Sequence, residues 1–229
     1  MVIGQVLLLS ILSTIAAVAT ETPRTDPDPN RFAAEIKAFT EWDSKNAFPS
    51  ESVLFVGSSS ARMWRTRESF PDLPVVNRGF GGSHISDVIY HAEQVVLPYK
   101  PRVIVFYAGD NDIAGGKSVR RVAEDYRRFV RLVHASLPTT RIVFITIKPS
   151  GQRGSLWPEM NEANTLIQGF CEQDDRLFFA DLATPLLGPD GKPKSNLFLS
   201  DQLHLNPQGY AIWTKALRPI LSSVLASRP

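Results

Sequence analysis

The run Val103-Ile104-Val105-Phe106-Tyr107 constrains the fold more than any other stretch, because every position in it is apolar. A strand with one wet face alternates apolar and polar residues, whereas an unbroken apolar strand is covered on both faces, as in a parallel sheet. The pattern predicts strands over 52–56, 75–77, 102–107, 141–147 and 177–180. Helical spacing predicts a helix over 31–46, with Phe32, Ile36, Phe39 and Trp42 on one face. Others fall over 85–96, 119–137 and 158–173, and Asn206-Pro207 opens a last one. Strands and helices alternate five times, which gives an α/β fold: a parallel sheet with helices on both faces and right-handed crossovers.

In such a sheet, ligands bind outside the carboxyl ends of the strands. Three of these ends carry glycine and polar groups: Gly57-Ser58-Ser59-Ser60, Gly79-Phe80-Gly81-Gly82 and Gly109-Asp110-Asn111-Asp112. The hydroxyl cluster after the first strand reads as a nucleophile, as an anion cradle or as a helix cap. Late in the chain, Asp201 and His204 stand three residues apart, a spacing that brings both side chains to one side of a turn. A carboxylate on one imidazole nitrogen fixes the tautomer and leaves the other nitrogen as a base. The same pair also reads as a helix-capping aspartate beside a surface histidine. His91 and His134 fall within predicted helices, and His84 is a rival base without a carboxylate at similar spacing.

Taken together, Gly57-Ser58-Ser59-Ser60, the Gly81-Gly82 loop, Gly109-Asp110-Asn111-Asp112 and Asp201-Gln202-Leu203-His204 resemble the four blocks of the SGNH, or GDSL-type, esterases. Their order and spacing match over nearly all of the chain after residue 52. The resemblance implies a flavodoxin-like three-layer α/β/α sandwich with a five-stranded parallel sheet. It further implies hydrolysis of esters, from acetylated sugars to lipids, without cofactor or metal. Carried over, it assigns Ser59 as nucleophile with Asp201 and His204 completing a triad. The oxyanion donors are then the N–H groups of Ser59 and Gly82 and the Asn111 side chain. Ser58 departs from the family, which usually has aspartate there, and so adds a second hydroxyl beside Ser59. Trp64, His84, Asp112 and Trp157 lie on loops at the same edge and are candidate substrate contacts.

Two other readings use less of the chain. A nucleophile elbow of the α/β-hydrolase kind fails on placement, because the serine follows the first strand and the acid and base are three residues apart. A flavodoxin-like module binding phosphate or carbohydrate leaves Asn111 and the Asp201/His204 pair without work. The absence of a long apolar lid favours short acyl groups over lipids.

Residues 1–19 read as a signal peptide, with a short apolar run and Ala17-Val18-Ala19 at its end. An uncleaved anchor is the alternative, since no Lys or Arg precedes the run. The expected location is secreted or periplasmic, with no membrane span after cleavage. Residues 20–30, with three prolines, read as a linker, and 31–229 as the hydrolase domain. Net charge is +2 with both signs scattered, which excludes an electrostatic nucleic-acid surface. The single cysteine, Cys171, excludes an internal disulfide and reads as a buried small hydrophobe.

Overall fold

The computed structural model describes residues 26–226. Its sheet contains β1 (Val53–Gly57), β2 (Val75–Gly79), β3 (Val103–Tyr107), β4 (Arg141–Ile145) and β5 (Leu177–Ala180). All pairings are parallel, in the order β2-β1-β3-β4-β5. That is the flavodoxin-like doubly wound order, whose switch point lies between β1 and β3. The register sets Gly57 opposite both Gly79 and Tyr107, so three strands finish at one level.

The helices are α1 (Ala33–Asp43), α2 (Ser59–Arg62), α3 (Thr66–Ser69), α4 (Ile85–Tyr90), α5 (Ala92–Val95), α6 (Asp110–Ala114), α7 (Val119–Ser136), α8 (Trp157–Cys171) and α9 (Pro207–Ala226). Alternate strand residues face opposite ways. Leu54, Val56, Ile104 and Phe106 pack with Ile36, Val88, Phe129 and Ile167 of α1, α4, α7 and α8. Val53, Phe55, Val103 and Val105 pack with Trp64 and with Trp213, Leu217 and Leu221 of α9. These two cores make the three layers that the sequence pattern requires.

Local chemistry sets the ends. Ser118 caps α7, its side chain accepting from Arg121 N, and Pro158 sits in the first turn of α8. Two expectations are corrected. The helix over 85–96 is two short helices, α4 and α5, broken at His91, whose ring packs on Phe80 and Tyr90 and meets the Pro29 carbonyl at 3.1 Å. The strand over 141–147 stops at Ile145. Beyond it, the Ile147 backbone leaves the ladder and pairs both its groups with the Asn164 carboxamide, at 2.7 and 3.0 Å. Cys171 is buried, and burial pushes its thiol up to about 11.

The signal-peptide reading falls outside the described residues, as does the first part of the linker. The end of that linker lies against the domain. Asp26 pairs with Lys117 at 2.9 Å and Arg121 at 2.6 Å, and Asp28 caps the 3₁₀ turn Pro29–Phe32. Among the described residues no helix is long and apolar enough to cross a membrane.

Candidate active site

The loop after β1 is fixed by its neighbours before any chemistry is considered. Ser58 N donates to Tyr107 O (2.8 Å) and Phe80 N donates to Gly57 O (2.9 Å), tying the loop to both flanking strands. Gly57 has φ +130°, and a Cβ there would lie 1.8 Å from Tyr107 O, so only glycine lets the chains approach this closely. Ser59 is then the first residue of α2, where an amide has no carbonyl behind it in the helix. The three hydroxyls separate clearly. Ser58 and Ser60 are buried, with no hydrogen bond to either Oγ, whereas Ser59 Oγ meets His204 Nε2 at 3.0 Å.

His204 comes from a turn before α9. Asp201 Oδ1 accepts from the N–H groups of Leu203 (2.9 Å) and His204 (3.0 Å), and Oδ2 meets His204 Nδ1 at 2.6 Å. The turn thus builds the pair from within four residues. Its donors, led by the His204 ring, hold the Asp201 carboxyl down at about 2, well below its ordinary 3.8. With Nδ1–H given to a carboxylate, Nε2 is left to accept the Ser59 hydroxyl proton.

The loops after β2 and β3 leave the sheet level with the serine loop, because Gly57, Gly79 and Tyr107 are in register. Gly82 has φ +79° with open space where a Cβ would point, so glycine is required there by backbone conformation and not by crowding. The Asn111 carboxamide is held at both ends. Its Nδ2 donates to Ser83 O (3.1 Å), and its Oδ1 accepts from Arg153 (2.9 Å). Asn111 is therefore tied to the residue that follows Gly82. Arg153 also contacts Asp110 at 3.0 Å, and buried Lys148 lies 3.5 Å from the same carboxylate. Sequence reasoning passed over Arg153, Lys148 and Asp110. The available clue was a fourth strand end at the same edge, Lys148-Pro149-Ser150-Gly151-Gln152-Arg153.

The candidate substrate contacts fare differently. Trp64 is only 3% exposed, ringed by Phe55, Phe70, Tyr210 and Trp213, with its indole N–H on Ser69 Oγ at 3.1 Å. It belongs to the core beneath α2 and α9, with an edge in the wall of a groove. Asp112 is fully buried, bound to Lys117 Nζ at 2.9 Å and to the N–H of Ile85, and burial raises its pKa to about 6. His84 caps α4 with its Nδ1 3.8 Å from Asp112; burial and then Lys117 pull its pKa down to about 4, so it stays neutral. Both serve the loop rather than its mouth. Trp157 starts α8, packs on the first core, and lines a cleft of about 120 Å³ with Thr146 and Asp181, whose walls include none of Ser59, Gly82, Asn111 or His204. Among the described residues no cluster of His, Cys, Asp or Glu is placed to hold a metal ion.

The sequence profile of the GDSL-like Lipase/Acylhydrolase family matches residues 51–212. The chain is 30% identical over 190 residues to platelet-activating factor acetylhydrolase IB subunit alpha1 of Pongo abelii, covering 80% of each protein. Among solved structures, a GDSL-like lipase from Bacteroides thetaiotaomicron superposes with a TM-score of 0.70 at 18% identity, over 83% of this chain and 98% of that one. An acetylxylan esterase from Geobacillus stearothermophilus, solved as a catalytic mutant, gives 0.63 at 17% identity, over 80% and 99%. At these identities the solved structures speak for the fold alone.

Proposed function

The chain belongs to the GDSL-like lipase and acylhydrolase family and is a carboxylic ester hydrolase, and from that premise we propose that Ser59, His204 and Asp201 cleave the ester through an acyl-enzyme. Ser59 Oγ attacks the ester carbonyl while His204 Nε2 takes its proton, and Asp201 steadies the ring through Nδ1. The same proton then goes to the departing alcohol. Water, deprotonated by His204, releases the acid and restores the serine. The N–H groups of Ser59 and Gly82 and the Asn111 amide donate to the oxyanion at each addition step. The observation that carries this reading is the continuous bond chain from Asp201 Oδ2 through the His204 ring to Ser59 Oγ, at 2.6 and 3.0 Å.

The proposed substrates are short-chain or acetyl esters, including those of carbohydrates. The placement of Trp157 removes one argument for a sugar platform, so acyl length is the sharper question. A second reading, lipid esters, draws on an open groove of about 1060 Å³ walled by Met63, Leu199, Leu205 and Tyr210. Its walls include neither Ser59 nor His204, although Met63 N bonds to Ser59 O and Leu199 N to His204 O, so it is a neighbour of the site. Chromogenic esters of rising acyl length, run beside acetylated xylan, separate the two. Acetyl preference supports the first reading, and activity climbing with chain length sinks it. A fluorophosphonate should label Ser59 stoichiometrically; an unlabelled Ser59 would overturn the acyl-enzyme mechanism. We also infer export with removal of residues 1–19, which N-terminal sequencing of secreted protein would test.

A further inference from the structure

The loop at 148–157, after β4, reaches the site through one side chain. One end of the Arg153 guanidinium donates to Asn111 Oδ1 at 2.9 Å, and the other lies 3.0 Å from Asp110 Oδ2. Asp110 is in turn 3.5 Å from Lys148 Nζ, and the side chains of Asp110, Lys148 and Arg153 are 4%, 1% and 17% exposed. The loop is anchored at its neighbour as well, where Gln152 N donates to Gln202 O (2.9 Å), inside the turn that carries Asp201 and His204.

A carboxamide has two nearly isosteric ends, and its hydrogen-bond partners decide which way it points. Here both partners decide alike. A guanidinium only donates and so selects the amide oxygen; the Ser83 carbonyl only accepts and so selects the amide nitrogen. With one Nδ2 hydrogen given to Ser83 O, the other remains for a ligand. A flipped Asn111 would set its NH₂ against the guanidinium and its oxygen against a carbonyl. Arg153 has one carboxylate partner, Asp110, behind Asn111, and burial pulls the pKa of the neighbouring Lys148 down.

We propose that Arg153 is a positioning residue for ester hydrolysis, which locks the Asn111 carboxamide with its free N–H toward the developing oxyanion. Asp110 and Lys148 hold the guanidinium in that place. The proposal rests on the reading of Asn111 as an oxyanion donor, given above.

The test is a double-mutant cycle with 4-nitrophenyl acetate, measuring kcat and KM for wild type, Arg153→Met, Asn111→Ala and the pair, each checked for cooperative thermal unfolding. Losing the lock misplaces a donor, so Arg153→Met should lower kcat about 100-fold with KM nearly unchanged. In the Asn111→Ala background the same substitution should change kcat less than about 3-fold, because residues acting as a unit are not additive. Arg153→Lys keeps one donor and should recover part of the loss. It also supplies the cycle should Arg153→Met, which strands Asp110, fail to fold. Fully multiplicative effects, an effect confined to KM, or wild-type turnover in Arg153→Met would overturn the proposal while leaving Asn111 its role. Wild-type turnover in Asn111→Ala would instead sink the donor reading and the proposal with it.

Discussion

The two sides of Ser59 are held in opposite ways. The proposed acid and base sit on one exposed turn, with the Asp201 and His204 side chains 46% and 24% exposed, and Asp201 bonds within three residues. The proposed donor side is assembled from the loops after β2, β3 and β4, with Asp110 and Lys148 almost sealed from water and Arg153 half-buried. A turn whose Asp201 bonds are all local depends on its surroundings chiefly through Gln202 O, which accepts from Gln152 N. A donor arm made of three loops depends on how those loops pack. Substitutions on the two sides should therefore fail differently, one in chemistry alone and the other in chemistry and packing together.

Ser59→Ala removes the atom both sides serve, and turnover should fall on the order of 10⁶-fold with unchanged thermal unfolding. Residual activity at a tenth of wild type would shift the nucleophile to Ser58 or Ser60. Asp201→Asn should cost about 10⁴-fold in kcat, through the wrong imidazole tautomer, and little stability. A fall of many degrees in Tm would mean that the turn is not the locally bonded piece described. The Asp201 carboxyl is held at about 2 against an ordinary 3.8, so it favours the folded state above pH 3.8 and loses that effect as pH falls toward 2. Protonation of Asp201 should accordingly add no proton to the acid limb of kcat/KM above pH 3.8. A two-proton acid limb in the pH–rate profile would contradict this. On the donor side, Asn111→Ala should lower kcat about 100- to 1000-fold, with a measurable loss of stability from the stranded Arg153 and Ser83 carbonyl. A pure KM effect would make Asn111 a substrate-positioning residue. Trp157→Ala, on a separate cleft, should change kcat/KM on acetylated sugars less than about 2-fold. A larger loss would bring α8 into the site.

The same contrast explains what could be read from the sequence. Asp201 and His204 were legible because their geometry is an i, i+3 spacing. The strands were legible because a two-sided burial leaves no alternation, as in Val103–Tyr107. Gly57 and Gly82 showed as glycines, although Gly57 is needed for both crowding and φ and Gly82 for φ alone, and sequence does not distinguish these. Arg153 was hidden because its partners lie 42 and 43 positions back in the chain, across a strand crossover. Trp64, His84 and Asp112 were placed at the correct edge, but their burial against α9, α4 and Lys117 comes from tertiary packing. The break at His91 came from a ring contact with Phe80 that no helical periodicity records.

The bond between His204 and Ser59 joins residues 145 positions apart. During synthesis at roughly 5–20 residues per second, the proposed nucleophile Ser59 exists for seconds before its proposed base has been made. On the proposed mechanism the growing chain is inert by construction: no fragment short of the last turn and α9 has the base to attack an ester. In refolding, the sheet must also close β1 against β3 before the serine and its donors meet, and such long-range parallel pairing is slow. Esterase activity should return only with the slowest folding phase, behind the recovery of helical circular dichroism. A burst of activity ahead of that phase would mean that the site assembles without the completed sheet.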